Sequence, residues 1–105
     1  MGRWAQRRLG NGGGGSGAAP ILILSAEVQP DTLHVDVAFD ANISVGDFAA
    51  ANFSTGPILK IGTAVAQLAT DTLRVTFGSD VSINATLTYA GTAPNVSTPQ
   101  TIDLT

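Results

Sequence analysis

Cysteine is absent from the 105 residues, which excludes a disulfide framework and any thiolate-ligated metal, the usual staples of a small domain. Charged residues make up only 12% of the chain, and lysine, histidine, tryptophan and tyrosine each occur once, as Lys60, His34, Trp4 and Tyr89. A chain this poor in ionisable side chains offers few groups for acid–base chemistry. Long apolar runs are missing too. The longest, Ala18 to Leu24, contains Pro20 and falls far short of the roughly 20 residues that a membrane-spanning helix needs, so no membrane partner is expected. The size is that of one domain, which buries about 60–70% of its unfolded surface and must hold together by core packing or by partners.

What is present is unevenly distributed. Residues 1–19 carry Arg3, Arg7 and Arg8 with no acid, a net charge of +3, together with seven of the twelve glycines. From residue 20 onward Lys60 and Arg74 stand against eight acids, a net charge of −6. The division predicts a basic, glycine-rich N-terminal arm over residues 1–19 and a folded domain over residues 20–105. A basic arm on an acidic body implies that the arm meets something the body does not, and nucleic-acid binding by the body is disfavoured. The start is basic, as in a signal peptide, but its apolar stretch follows the glycine tract and lacks a cleavage pattern, so conventional secretion is not expected.

The body reads as short strands. Ile21 to Val28 is an apolar run, Gln29 to Thr32 a turn, and Leu33 to Asp40 a half-buried strand with Leu33, Val35, Val37 and Phe39 on one face and His34, Asp36 and Asp40 on the other. Gly46 to Asn52 breaks the strand period and is expected to make a single helical turn, with Phe53 returning inward. Further strands are expected at Ile58–Ile61, Thr63–Ala69, Leu73–Phe77, Ala85–Tyr89 and Thr101–Leu104, separated by Gly, Pro, Asn or Asp. About seven strands at this spacing predict an antiparallel β-sandwich, with Val35, Val37, Phe39, Leu73, Val75, Phe77, Leu87 and Tyr89 in its core. Asp31-Thr32-Leu33-His34-Val35 is echoed by Asp71-Thr72-Leu73-Arg74-Val75, two copies of one local solution and too few for a solenoid.

The search for reactive constellations yields little. His34 is the one candidate base for a Ser or Thr nucleophile, and strand alternation places it on the solvent face without a partner motif. A metal held by His34 and Asp36 lacks further ligands. Asp80-Val81-Ser82-Ile83-Asn84 opens like a calcium loop, but Ala85 stands at the sixth position and Gly91 at the twelfth, where glycine and a bidentate Glu are needed. Gly10 to Gly15 fits a dinucleotide glycine pattern with no strand before it. Asn-x-Ser/Thr triplets at Asn42, Asn52, Asn84 and Asn95 suit exposed turns and strand faces. No catalytic residue, metal or cofactor is expected, and the chain is expected not to be an enzyme.

The arm is the feature with a mechanism. Glycine lets a backbone thread narrow grooves, and arginine and tryptophan are the residue types enriched where interfaces concentrate their binding energy. Arg3, Trp4, Arg7 and Arg8 are therefore the candidate partner-binding residues, and a local helical turn would set Trp4 beside Arg8 and Arg3 beside Arg7.

Phe39-Asp40-Ala41-Asn42-Ile43-Ser44, followed by Asp47 to Phe53, resembles the middle of bacterial immunoglobulin-like surface modules, and Ala85-Thr86-Leu87-Thr88-Tyr89 resembles a later strand of them. The resemblance covers about residues 20–105 and implies an immunoglobulin-like sandwich whose core lacks the cysteine pair of antibody domains. Met1 to Arg8 with its glycine tract resembles the starts of small tailed-phage structural proteins. Together these imply a non-enzymatic virion protein of a bacteriophage-like particle: a capsid decoration, head-fibre or tail subunit assembled in the host cytoplasm. Its arm would dock on the major capsid or another virion protein, and it would act as a homo-oligomer or multi-copy array. The alternative is an extracellular or cell-surface, carbohydrate-associated binding module that uses the arm as a linker.

Overall fold

The computed structural model describes residues 20–105. The expected arm, with Arg3, Trp4, Arg7 and Arg8, lies outside the described residues. The described body has seven strands: β1 (Ile23–Val28), β2 (His34–Phe39), β3 (Phe53–Gly56), β4 (Lys60–Ala69), β5 (Thr72–Phe77), β6 (Thr86–Tyr89) and β7 (Gln100–Asp103), of which β2, β3, β5 and β6 bury every second side chain. The strands are hydrogen-bonded in the order β1-β2-β5-β4-β3-β6-β7, and every named pair is antiparallel. The result is an all-β sandwich measuring 52 × 25 × 19 Å, with β1-β2-β5-β4 as one layer and β3-β6-β7 as the other.

Strand β4 joins the layers. Lys60 and Ile61 pair with Thr55 and Ser54 of β3, while Gly62 to Ala69 pair with Phe77 to Thr72 of β5, with register shifts after Gly62 and Gln67. On the opposite side, parallel bridges Ile21–Val96 and Ala26–Leu104 tie the segment containing β1 to the segment containing β7. The sheet is thereby nearly closed on itself, which leaves little unpaired edge.

All eight residues expected in the core are at most 1% exposed. They pack with a cluster of aromatic rings. Phe48 lies 5.4 Å from Phe39, 6.1 Å from Phe53 and 5.6 Å from Tyr89, and Phe53 lies 5.1 Å from Tyr89. Such pairs add about 0.5–1.5 kcal/mol each beyond the burial of area. The Tyr89 hydroxyl is not stranded by this burial, because it accepts the Ala93 backbone N–H at 3.0 Å.

The echoed segments lie side by side. Val35 pairs with Val75, Asp36 with Arg74 and Val37 with Leu73, so the two copies face each other across the β2–β5 ladder in the middle of their layer. Phe39 N–H donates to Asp71 O and Phe77 N–H to Leu33 O, both at 2.8 Å, closing the pair in the same way at its two ends.

Three local expectations are corrected. The single helical turn over Gly46–Asn52 is two 3-10 turns, Val45–Asp47 and Ala50–Asn52, with Phe48 extended between them at φ −118° and ψ 139°. Extending the chain there directs Phe48 into the aromatic cluster. The two strands expected at Ile58–Ile61 and Thr63–Ala69 are one ten-residue strand, β4, entered through a turn at Pro57–Leu59. Gly62 does not interrupt it. A β-carbon at Gly62 would stand 2.5 Å from the Ala50 carbonyl oxygen, so glycine serves there to let the second 3-10 turn approach the strand. Phe53–Gly56, expected only to return the chain inward, is a strand in its own right with Phe53 and Thr55 buried.

Candidate functional site

Residues singled out as candidate ligands are occupied with one another. Asp36 receives Arg74 through two bonds, Nε to Oδ1 at 2.7 Å and Nη2 to Oδ2 at 3.0 Å, so it is not available to share a metal with His34. His34 Nδ1 instead meets Asp31 Oδ2. Among the described residues no group of three or more His, Asp or Glu is placed to hold a metal ion. Asp80 Oδ1 accepts the Thr32 hydroxyl at 2.7 Å, Val81 is buried, and Ser82 Oγ accepts the Asn84 N–H at 3.1 Å, the geometry of a structural turn. That Thr32 hydroxyl bond supports a β-branched residue held at φ 58°, in the left-handed region.

The Asp31 carboxylate also accepts the N–H groups of Leu33 at 3.0 Å and His34 at 3.2 Å. The His34 side chain, and then the Leu33 N–H, hold this carboxyl below its ordinary 3.8. A folded-state value below the unfolded one stabilises the fold above pH 3.8, and the contribution is lost as the pH falls through the lowered value. Wild type is therefore expected to melt higher than Asp31→Asn at neutral pH, the two melting temperatures converging below about pH 3.8. Parallel curves at all pH values would show that the carboxylate contributes nothing.

What remains for function is at the two ends of the sandwich. The chain enters at one end, where Ile21 N–H donates to Asn95 O at 2.7 Å. It reaches the far end at Thr105, whose N–H donates to Ala26 O at 3.0 Å. A cleft of about 310 Å³ opens at the far end between the β3–β4 turn and the β5–β6 loop, lined by Pro57, Ile58, Lys60, Asp80 and Val81 among others. Around it Ile58, Leu59 and Ile83 are 73%, 69% and 60% exposed. The expected strand Ile58–Ile61 concealed this, because an apolar run in sequence does not distinguish a strand from a projecting turn. Lys60 Nζ donates to Ser79 Oγ at 2.9 Å. The buried Thr55 hydroxyl is satisfied, donating to Ile58 O at 2.9 Å and accepting Lys60 N–H at 3.1 Å.

A second cleft, of about 360 Å³, opens at the entry end between Ile21, the Asn42–Phe48 segment and Ala93–Val96. Asp47 lines it. Asp40 and Asp71 belong to the same end: Asp40 is bonded to Leu22 through both its N–H and its carboxylate, and Asp71 O accepts Phe39 N–H. Neither cleft was visible in the sequence, since each is assembled from loops far apart along the chain. No helix among the described residues is long and apolar enough to cross a membrane.

No protein-family model and no curated protein matches the sequence. Among solved structures, domains 1–6 of surface layer protein SbsC are similar to this chain with a TM-score of 0.67 and 16% sequence identity. The similarity covers 83% of this chain and 14% of that one, so the chain spans about one seventh of the neighbour's length. At this identity the likeness establishes the sandwich fold.

Proposed function

We propose that this chain is a non-enzymatic structural module, an immunoglobulin-like sandwich that serves as one building unit of a multi-copy protein assembly. The observation that carries the reading is the strand order. With β1-β2-β5-β4 in one layer and β3-β6-β7 in the other, it follows the four-plus-three arrangement of constant-type immunoglobulin domains. The similar solved structure is described as part of a surface layer protein, and this chain matches a share of it suited to a single module. Protein–protein contact is the work such a unit does, and Arg3, Trp4, Arg7 and Arg8 are the residues proposed to dock it.

Two assemblies fit. The basic arm on an acidic body favours a phage-like particle, in which the arm docks on the major capsid or another virion protein and the sandwich projects as a decoration, fibre or tail element. The likeness to a surface layer protein favours a cell-surface array with the arm as a linker. Density-gradient sedimentation of the native protein from the cells that produce it separates them. Co-sedimentation with nucleic-acid-containing particles at fixed high copy number supports the virion, and recovery with the cell envelope supports the surface array. A slowly sedimenting monomer overturns both. In whichever assembly is found, deletion of residues 1–17 is expected to release the protein while circular dichroism still reports a folded sandwich. Retention of the truncated protein would disprove docking through the arm.

A further inference from the structure

The cleft at the entry end combines three properties that match one occupant. Its lining sets Ile21, Ile43, Phe48, Ala93 and Val96 beside the polar Asn42, Ser44, Asp47 and Asn95. The surrounding charge is of one sign, because Asp40, Asp47 and Asp71 lie at this end. The cations of the described residues are elsewhere, with Lys60 at the far end and Arg74 paired to Asp36 in mid-sheet. The third property is position, since Ile21, the first bridged residue, itself lines the cleft. Whatever precedes Pro20 leaves the fold at its rim.

Residues 1–19 are complementary to this site on each count. They carry Arg3, Arg7 and Arg8 with no acid, and their one aromatic residue is Trp4. Fifteen residues lie between Trp4 and Pro20. A connection of that length spans up to about 50 Å, so reach does not limit a cleft that begins at Ile21. Tethering raises the local concentration of such a ligand to the millimolar range, so even a weak contact is occupied. An indole brings about 150–250 Å² of surface to bury. The positive charge of this segment complements the negative charge of this end, where Asp47 lines the cleft.

We propose that the entry-end cleft is the seat of the chain's own arm, with the Trp4 indole against its apolar residues and Arg3, Arg7 and Arg8 toward Asp47 and the neighbouring negative charge of Asp40 and Asp71. The inference goes beyond the assembly role: it makes the anchor unavailable in the free protein, so a docking partner must displace it from the cleft. Premature contact between anchors and stray acidic surfaces is thereby suppressed until a partner with the stronger site is met.

Trp4 is the chain's single tryptophan, so its fluorescence reports on the cleft without a label. In the full-length protein at low ionic strength the expected result is a blue-shifted emission maximum and acrylamide quenching several-fold slower than that of N-acetyltryptophanamide. Both should be independent of protein concentration. Asp47→Lys is expected to move emission and quenching toward the free indole values, and added salt to do so progressively. Glu27→Lys, the same charge change on an exposed side chain toward the far end, is expected to leave them unchanged. Free-indole behaviour in the wild type, or equal effects of the two substitutions, would overturn the proposal. Protection that disappears on dilution would overturn it in favour of a neighbouring copy's arm. If Trp4 proves exposed while removal of residues 1–17 still abolishes assembly, the seat is wrong and the docking role stands.

Discussion

Phe39→Ala lowers the free energy of unfolding by about 3–5 kcal/mol. The ring is 1% exposed, lies 5.4 Å from Phe48, and sits at the end of β2 opposite Ile23. Truncation removes the transfer free energy of the ring and leaves a cavity that its neighbours, held in two layers and two 3-10 turns, can only partly fill. Small domains have about 5–15 kcal/mol in total, so the loss is a large share of the margin. Urea denaturation followed by circular dichroism measures it as a shift of the midpoint at constant slope. Phe39→Leu, which retains most of the volume, is expected to lose less in the same direction. A shift below about 1 kcal/mol for the alanine variant would mean that the aromatic cluster is not the keystone of the core.

Gly62→Ala is expected to destabilise the domain by about 1–3 kcal/mol, the usual cost of overpacking, although alanine in a strand interior is otherwise preferred over glycine. The added methyl group would meet the Ala50 carbonyl oxygen at 2.5 Å and Val75 Cγ1 at 3.0 Å. A carbonyl cannot swing aside as a flexible side chain can, and this one already accepts the Phe53 N–H that ends the second 3-10 turn. Relief therefore means moving the turn and, with it, the entry to β3. Gly46 provides the control, because a β-carbon there would have nothing within 4 Å. Thermal melts of the two alanine variants should diverge, with Gly62→Ala losing stability and Gly46→Ala unchanged or gaining. Equal behaviour would sink the close-approach explanation of Gly62.

Much of the sandwich was legible in the sequence because β2 and β5 alternate cleanly and their inward residues are large. Val35, Val37, Phe39, Leu73, Val75 and Phe77 announce their face without tertiary information. β3 was illegible for the opposite reason: it has four residues, and Ser54, Thr55 and Gly56 give no apolar signal. Gly62 resembled a separator because close approach between distant segments is invisible locally, and glycine carries both meanings. Ile58 and Leu59 resembled part of a strand for a related reason, since hydropathy does not encode which turn projects. The candidate partner-binding residues rest on composition alone, through charge and glycine content, and lie outside the described residues, whereas the two end clefts required the fold to bring Ile21, Phe48 and Val96 together.

The course of the chain through the sandwich fixes how it carries mechanical load. The body is entered at Ile21 and left at Thr105, on opposite ends, and the first and last segments run parallel through bridges at Ile21–Val96 and Ala26–Leu104. Traction applied between these two points pulls the paired segments along their length in opposite directions. The bonds Ile21 N–H to Asn95 O, Ser97 N–H to Ile21 O, Val28 N–H to Thr105 O and Thr105 N–H to Ala26 O lie across that pull. They are strained together in shear and must fail together, whereas a hairpin pulled from its open end unzips one bond at a time. A unit wired in this way resists being drawn out at its ends.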